Sequence, residues 1–279
     1  MSRSMKLSMI CGVLSVLASC GPSPETTKPP VSSLEMKEAL YHRGHQLLLE
    51  QQFDSAQVVL KRALAMDASY IAPLTDLGQL HYDLGMREAG EKNPRRLEQL
   101  RKSRDYFAKV DALGSKESDL YERLCEISHA LDDDRSFLKY AKKNAEAYPY
   151  DRQYFNLGSA YFLTGDFQRV IKSQKEAIEK FKSSQYIGSF YRQLGRAYMK
   201  VDRDQTAERT FDAGLKAVEV RIADHKKTGS DYKGTDEYRR LMDDRIGMLV
   251  SLKGLHQTYR AKEKLERVEK QLQEAGYTK

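Results

Sequence analysis

The sequence of 279 residues has no tryptophan, three cysteines and seven prolines, and its apolar runs are short. The longest run, LSMICGVLSVLA at 7–18, is 12 residues. A permanent helix across a hydrocarbon core of roughly 30 Å needs about 20. No stretch alternates polar and apolar residues long enough to argue for a sheet. The glycines of GDFQRV (165–170) and GSDYKG (229–234) follow no strand, so no phosphate loop is supported. The six histidines show no metal-ligand spacing with a nearby cysteine pair. His42 and His45 lie three apart on one helix, but without a third ligand a metal is not expected. No catalytic arrangement stands out, so neither enzymatic activity nor a cofactor is expected. What is abundant is apolar and charged residue, 40% and 31%, with 17 tyrosines, the composition of a soluble, helix-rich protein with aromatic packing.

The formal charge is +7. Residues 1–19 contain Arg3 and Lys6 and no acids, so without them 45 basic residues face 40 acidic ones. An excess of that size, spread along the chain, is ordinary solubility, and no nucleic-acid partner is expected. The basic clusters Arg95-Arg96, Arg101-Lys102-Arg104, Lys142-Lys143 and Lys226-Lys227 read as solvated faces.

Residues 1–19 combine positive charge, the short apolar run and small residues, the layout of a secretory signal. The segment ends in Leu17-Ala18-Ser19-Cys20-Gly21, which resembles the lipobox of bacterial lipoproteins. The resemblance implies that Cys20 becomes the first residue and carries lipid, palmitate included. Gly21 is not the Asp that favours inner-membrane retention in enteric bacteria, which implies the outer membrane, with the periplasmic face favoured. Each buried CH₂ of an acyl chain contributes about 0.8 kcal/mol, so several chains anchor durably. Cys11 would leave with the signal and Cys20 would be lipid-linked, so Cys125 could form no internal disulfide. Residues 20–35 hold four of the seven prolines and read as a flexible tether.

From about Leu34 onward the pattern is helical, and one phrase recurs. YFNLGSAY at 154–161 is nearly copied as YRQLGRAY at 191–198. The glycine of the phrase falls at Gly44, Gly78, Gly158 and Gly195, and Cys125 takes its place in YERLCEIS at 121–128. Twelve and sixteen residues after the glycine come Ala56 and Leu60, Val170 and Gln174, and Ala207 and Phe211. In the second unit the register returns as Ser103, Phe107 and Val110, after an insertion near 87–100. The second helix of the third unit reads as degenerate. This pattern resembles the tetratricopeptide repeat family, whose helix–turn–helix unit recurs every 34 or so residues. The resemblance implies an all-α fold, a right-handed α-solenoid of helical hairpins. A single hairpin cannot bury its apolar side, so each covers its neighbour. About five units are expected over 36–222. Residues 223–279 are expected to form a degenerate sixth unit or a capping pair, with helices near 237–254 and 257–276. The first would carry Leu241, Met248, Leu249 and Leu252, and the second Tyr259, Leu265, Val268 and Leu272.

In this family the first helices line a concave groove, with exposed residues six and three before the glycine position and one and four after it. Carried over, this places Tyr41, Tyr82, Arg152, Phe155, Phe162, Arg192, Arg196 and Met199 in a partner-binding groove, with Asp119, Glu122, Glu126 and His129 as an acidic wall. Aromatic residues and Arg are enriched in binding hot spots. The resemblances imply a lipid-anchored scaffold that binds a partner protein at the bacterial cell envelope, in pilus or secretin assembly or in docking peptidoglycan enzymes. The alternative is an envelope lipoprotein that binds a small ligand or a surface, its pocket shaped by the insertion near 87–100 and the C-terminal pair. Such lipoproteins often pair through terminal helices, so a homodimer stays open.

Overall fold

The computed structural model of the chain describes residues 32–115, 118–227, 229 and 231–277. The expected signal, Cys20 and most of the expected tether lie outside the described residues. Among the described residues there are twelve α-helices, one 3-10 turn at Tyr232–Gly234 and no strand. The helices pair as hairpins: α1 (Ser33–Leu49) with α2 (Phe53–Met66), α3 (Ile71–Arg87) with α4 (Pro94–Ala112), and α5 (Ser118–Ala130) with α6 (Asp134–Ala147). Then follow α7 (Asp151–Leu163) with α8 (Phe167–Lys180), α9 (Ile187–Lys200) with α10 (Asp204–Lys226), and α11 (Asp236–Thr258) with α12 (Lys262–Glu274). The result is an all-α solenoid of stacked hairpins.

Local chemistry starts and stops these helices. Ser32 caps α1 in a reciprocal box: its Oγ accepts from the Glu35 amide at 3.1 Å, and its own amide donates to Glu35 Oε2 at 2.8 Å. Asn93 caps α4 ahead of Pro94, whose fixed φ suits the first helical position. Asp133, Asp166 and Thr235 cap α6, α8 and α11.

Five hairpins share one turn. Seven residues after the glycine position, Gln51, Asp132, Gly165 and Asp202 have left-handed φ of 59°, 55°, 76° and 55°. The next amide closes a Schellman bond of 2.9 Å to a carbonyl five residues back: Gln52 to Leu47, Asp133 to Ser128, Asp166 to Tyr161 and Arg203 to Tyr198. In α11–α12 the same pair recurs as Arg260, φ 52°, and Ala261 to His256 at 2.9 Å. That register puts Lys253 at the glycine position of the last hairpin.

The glycine position is where the two helices of a hairpin touch. A Cβ on Gly44 would lie 2.6 Å from Leu60, on Gly78 2.7 Å from Phe107, on Gly158 1.8 Å from Gln174 and on Gly195 2.3 Å from Phe211. The third hairpin solves the same problem with the sizes exchanged. Cys125 takes the place of glycine, and the residue sixteen on is Ala141; both are buried. Its second helix, α6, buries Phe137, Tyr140, Ala141 and Asn144, so what reads as degenerate in the sequence is a repacked contact. In the last described hairpin, Lys253 and Glu269 occupy the two positions and form an ion pair at 3.0 Å.

The core is spread along the stack. One cluster joins Leu60, Leu77 and Leu80, and a second joins Leu74, Phe107, Leu124 and Phe137. A third runs from Tyr154 through Phe190 and Phe211 to Leu249 and Leu272. Two features refine the sequence reading, and one expectation is corrected. Most of the insertion near 87–100 lengthens two helices: α3 continues to Arg87 and α4 begins at Pro94. The helix α10 runs on to Lys226, past the expected end of the fifth unit at 222, and buries His225. Tyr259 is 63% exposed and follows α11 rather than lying on α12; its hydroxyl donates to Asp204 at 2.6 Å.

The packing predicts opposite outcomes for two glycines. Gly195→Ala drives a methyl into buried Phe211 and should cost about 1–3 kcal/mol in urea unfolding. Gly254→Ala, on α11 with nothing within 4 Å of the new Cβ, should stabilise by up to about 1 kcal/mol.

Candidate partner-binding groove

The first helices form one layer of the stack. They pack directly as α1 on α3, α7 on α9 and α9 on α11, whereas α5 rests mainly on α4 and α6. On either side of α5 long polar side chains make the connection. The Tyr82 hydroxyl donates to Glu126 Oε2 at 2.7 Å. Arg123 lies over the Tyr82 ring at 4.4 Å and pairs with Glu126 at 3.0 Å. Arg152 spans Glu122 at 2.8 Å and Glu126 at 3.1 Å, and Gln153 donates to Glu122 Oε1 at 2.9 Å. Burial, with the hydrogen bond to Glu126, pushes the Tyr82 phenol up to about 12. The acidic wall expected from the third unit is thus matched by cations within the chain. Tyr82 and Arg152 belong to this network, and Tyr82 is buried.

Arg192 holds the last hairpin. Its Nε lies 3.1 Å from Oδ1 of Asp244, a residue 1% exposed on α11, while the Ser189 hydroxyl donates to Oδ2 at 2.5 Å. The Arg192 contact is off-line, an ion pair rather than an aligned hydrogen bond. Glycines admit the close approach: a Cβ on Gly188 would lie 2.8 Å from Asp244 Cβ, and one on Gly247 2.8 Å from Arg192 Cδ. Burial pushes the Asp244 carboxyl up to about 6, against the opposing pull of Arg192 and Ser189.

The remaining groove residues converge on α7 and α9. Arg196 lies over the Phe162 ring at 4.5 Å, and among the described residues no carboxylate comes within 4 Å of its guanidinium. Its pKa is lowered, first by burial and then by the adjacent Arg192 charge. The residue is nonetheless solvent-accessible, a combination that suits the wall of a concavity. Phe162 meets Phe167 edge-on at 5.3 Å, and Phe155 stacks on Tyr186 at 5.2 Å, with Arg240 over the same Tyr186 ring at 4.4 Å. Met199 is half-buried beside them. Gln193 Nε2 donates to Ser159 Oγ at 2.8 Å, locking α9 to α7. Tyr41 stands apart at the other end of the stack, half-buried against Tyr70 at 5.5 Å and His45 at 5.8 Å.

Cationic, aromatic and thioether surface at one place can take an acidic or apolar side chain of a partner. The other singled-out residues are occupied structurally. His45 Nδ1 lies 2.8 Å from Asp76 Oδ2. His81, buried and stacked on Tyr106 at 5.7 Å, hydrogen-bonds Gln57 and Gln99, and burial lowers its pKa. Burial pushes the Cys125 thiol up to about 12, far from a reactive thiolate. Asp244 and Arg240 escape the sequence reading because the family carry-over concerns only the first five units. The one available signal was an Asp in the apolar stripe between Leu241 and Met248.

Folded Asp244 keeps its proton at pH values where an unfolded Asp, with a pKa near 3.9, has lost it. The native state then binds the extra proton, so this group's contribution to stability falls as pH rises from about 4 to 6. Urea unfolding of Asp244→Asn against wild type should show the variant gaining, relative to wild type, on the order of 2 kcal/mol between pH 4 and 7. A difference independent of pH would remove this role.

Residues 152–179, spanning α7 and α8, match the model of the tetratricopeptide repeat. No curated protein matches the sequence. Among solved structures the chain is similar to the MamA protein, with a TM-score of 0.51, 18% identity, and coverage of 68% of this chain and 95% of that one. It is also similar to YrrB, described as a TPR protein with an unusual peptide-binding site, with a TM-score of 0.51, 16% identity, and coverage of 68% and 91%. The match over 152–179 identifies α7–α8 as one tetratricopeptide repeat, and the likeness to the solved structures shows the solenoid fold they share.

Proposed function

We propose that the chain is a non-enzymatic scaffold that holds a partner protein, as a helix or extended peptide, against α7 and α9. The observation that carries the reading is Arg196, a cation without a carboxylate partner among the described residues, set over Phe162 beside Phe155 and Met199. Most other groove charges are spent on internal pairs, whereas this cluster offers unsatisfied charge and aromatic surface together. The peptide-binding site described for YrrB supports peptide holding as the mode.

We further propose, from the lipobox resemblance at 17–21, that Cys20 carries lipid and that the solenoid hangs from the outer membrane on the Pro-rich segment. The partner would then be a component of the envelope, in pilus or secretin assembly or in peptidoglycan-enzyme docking, with assembly the favoured of the two.

Crosslinked pull-down from envelopes tests the groove. Wild type should recover a partner that Arg196→Glu and Phe162→Ala both lose; equal recovery would remove the assignment. Arg192 is left intact because reversing its charge would set a second carboxylate beside buried Asp244. Labelled palmitate should enter wild type and not Cys20→Ala, and its absence from wild type would remove the anchor.

A further inference from the structure

The second hairpin departs from the turn shared by the others, and the departure makes a cavity. At Gly85, seven residues after Gly78, the chain stays helical, so α3 and α4 both run on. They stay close over the extra length because Gly85 has no side chain; a Cβ there would lie 3.1 Å from Leu100. The extension walls a cavity of about 530 Å³ against the end of α5. Met86, Leu100 and Ala130 supply apolar lining, and Tyr82, Arg96 and His129 supply polar groups. Lys92, in the α3–α4 loop, pairs with Asp132 in the α5–α6 turn, tying the extension to the third hairpin.

Arg96 is the unmatched group. Its Nε–H is buried without an acceptor. Its other contacts are long: 3.5 Å to the Glu88 carbonyl and 3.6 Å to Met86 Sδ. Among the described residues no carboxylate lies within 4 Å of it, and two of the three acids lining the cavity are engaged. Glu126 is held by Tyr82, Arg123 and Arg152, Asp132 by Lys92, and Glu91 is exposed. A guanidinium has five donors and no acceptor, and its fork fits a carboxylate with two parallel bonds.

We propose that this cavity binds a carboxylate on an apolar body, with Arg96 gripping the carboxylate and Met86 and Ala130 covering the body. The volume falls in the range of roughly 300–1,000 Å³ typical of small-molecule sites. A monoanion suits it better than a phosphate, because Glu91 and Glu126 stand near and would repel a second negative charge. The carboxylate comes from a small free acid or from the C-terminal residue of a peptide. The site lies on the second and third hairpins, where Tyr82, Glu126 and His129 also hold groove positions, and stands apart from the Arg196 cluster on α9.

Isothermal titration of the full chain tests it, with octanoate and the peptide acetyl-Ala-Ala-Leu as acids and their amides as neutral counterparts. At least one acid should bind saturably and its amide about tenfold or more weakly, as expected for loss of a charge-assisted bond. Arg96→Gln should lose affinity for the acid by about the same factor, and Arg209→Gln, remote on α10, should keep it. Binding of octanoate identifies a free acid as the source, and binding of the peptide a C-terminus; either supports the site. No saturable binding of either acid, equal binding of acid and amide, or undiminished binding by Arg96→Gln overturns it. The acid–amide comparison on wild type decides even where Arg96→Gln does not fold.

Discussion

Everything in this molecule depends on how closely the two helices of a hairpin approach at one position. A missing side chain at Gly44, Gly78, Gly158 or Gly195 is filled by a side chain of the second helix, sixteen residues on in three of the four and at Phe107 after the insertion in the second hairpin, and that interlock sets the spacing of each pair. The Schellman turn eight residues downstream of the glycine position fixes the direction of return in five hairpins. With spacing and direction fixed, the apolar faces left over can be covered only by the next hairpin, and the stack follows. The positions can be rebuilt without losing the contact. Cys125 and Ala141 exchange sizes, and Lys253 and Glu269 replace packing by an ion pair at the end of the stack.

The interlock governs the second helices against the first, but the groove depends on how first helices meet one another. Where they pack directly, as α9 on α7, aromatic rings and one unpaired arginine remain available on the wall. Where they stand apart, around α5, polar side chains reach across and neutralise each other. A charge in a groove position is therefore available to a partner only where neighbouring first helices already touch. At the end of the stack Arg192 is the exception: α9 and α11 pack directly, yet the buried carboxylate of Asp244 claims it.

The hairpins were legible in the sequence because a helical repeat imposes fixed spacing on small and aromatic residues, and glycine positions are hard to disguise. The insertion was legible as extra length but not as longer helices, since PRRLEQL reads equally as polar loop or helix surface until Gly85 is seen packed on Leu100. Tyr259 was misplaced because the left-handed residue that ends α11 is Arg260, which gives no turn signal in sequence. The groove residues were placed correctly on first helices by register, yet their charge state was not legible. Arg152 and Arg192 look as free as Arg196 in sequence, and only partners far along the chain, Glu126 for one and Asp244 for the other, distinguish them.

The interlock itself is open to direct measurement by a double-mutant cycle on Gly195 and Phe211, two residues sixteen positions apart. If the Gly195 contact sets the hairpin, shrinking the ring with Phe211→Leu should relieve the strain of an added methyl. Gly195→Ala and Phe211→Leu together should then be more stable than the sum of the single losses by at least about 1 kcal/mol. Simple additivity of the two losses would contradict the account.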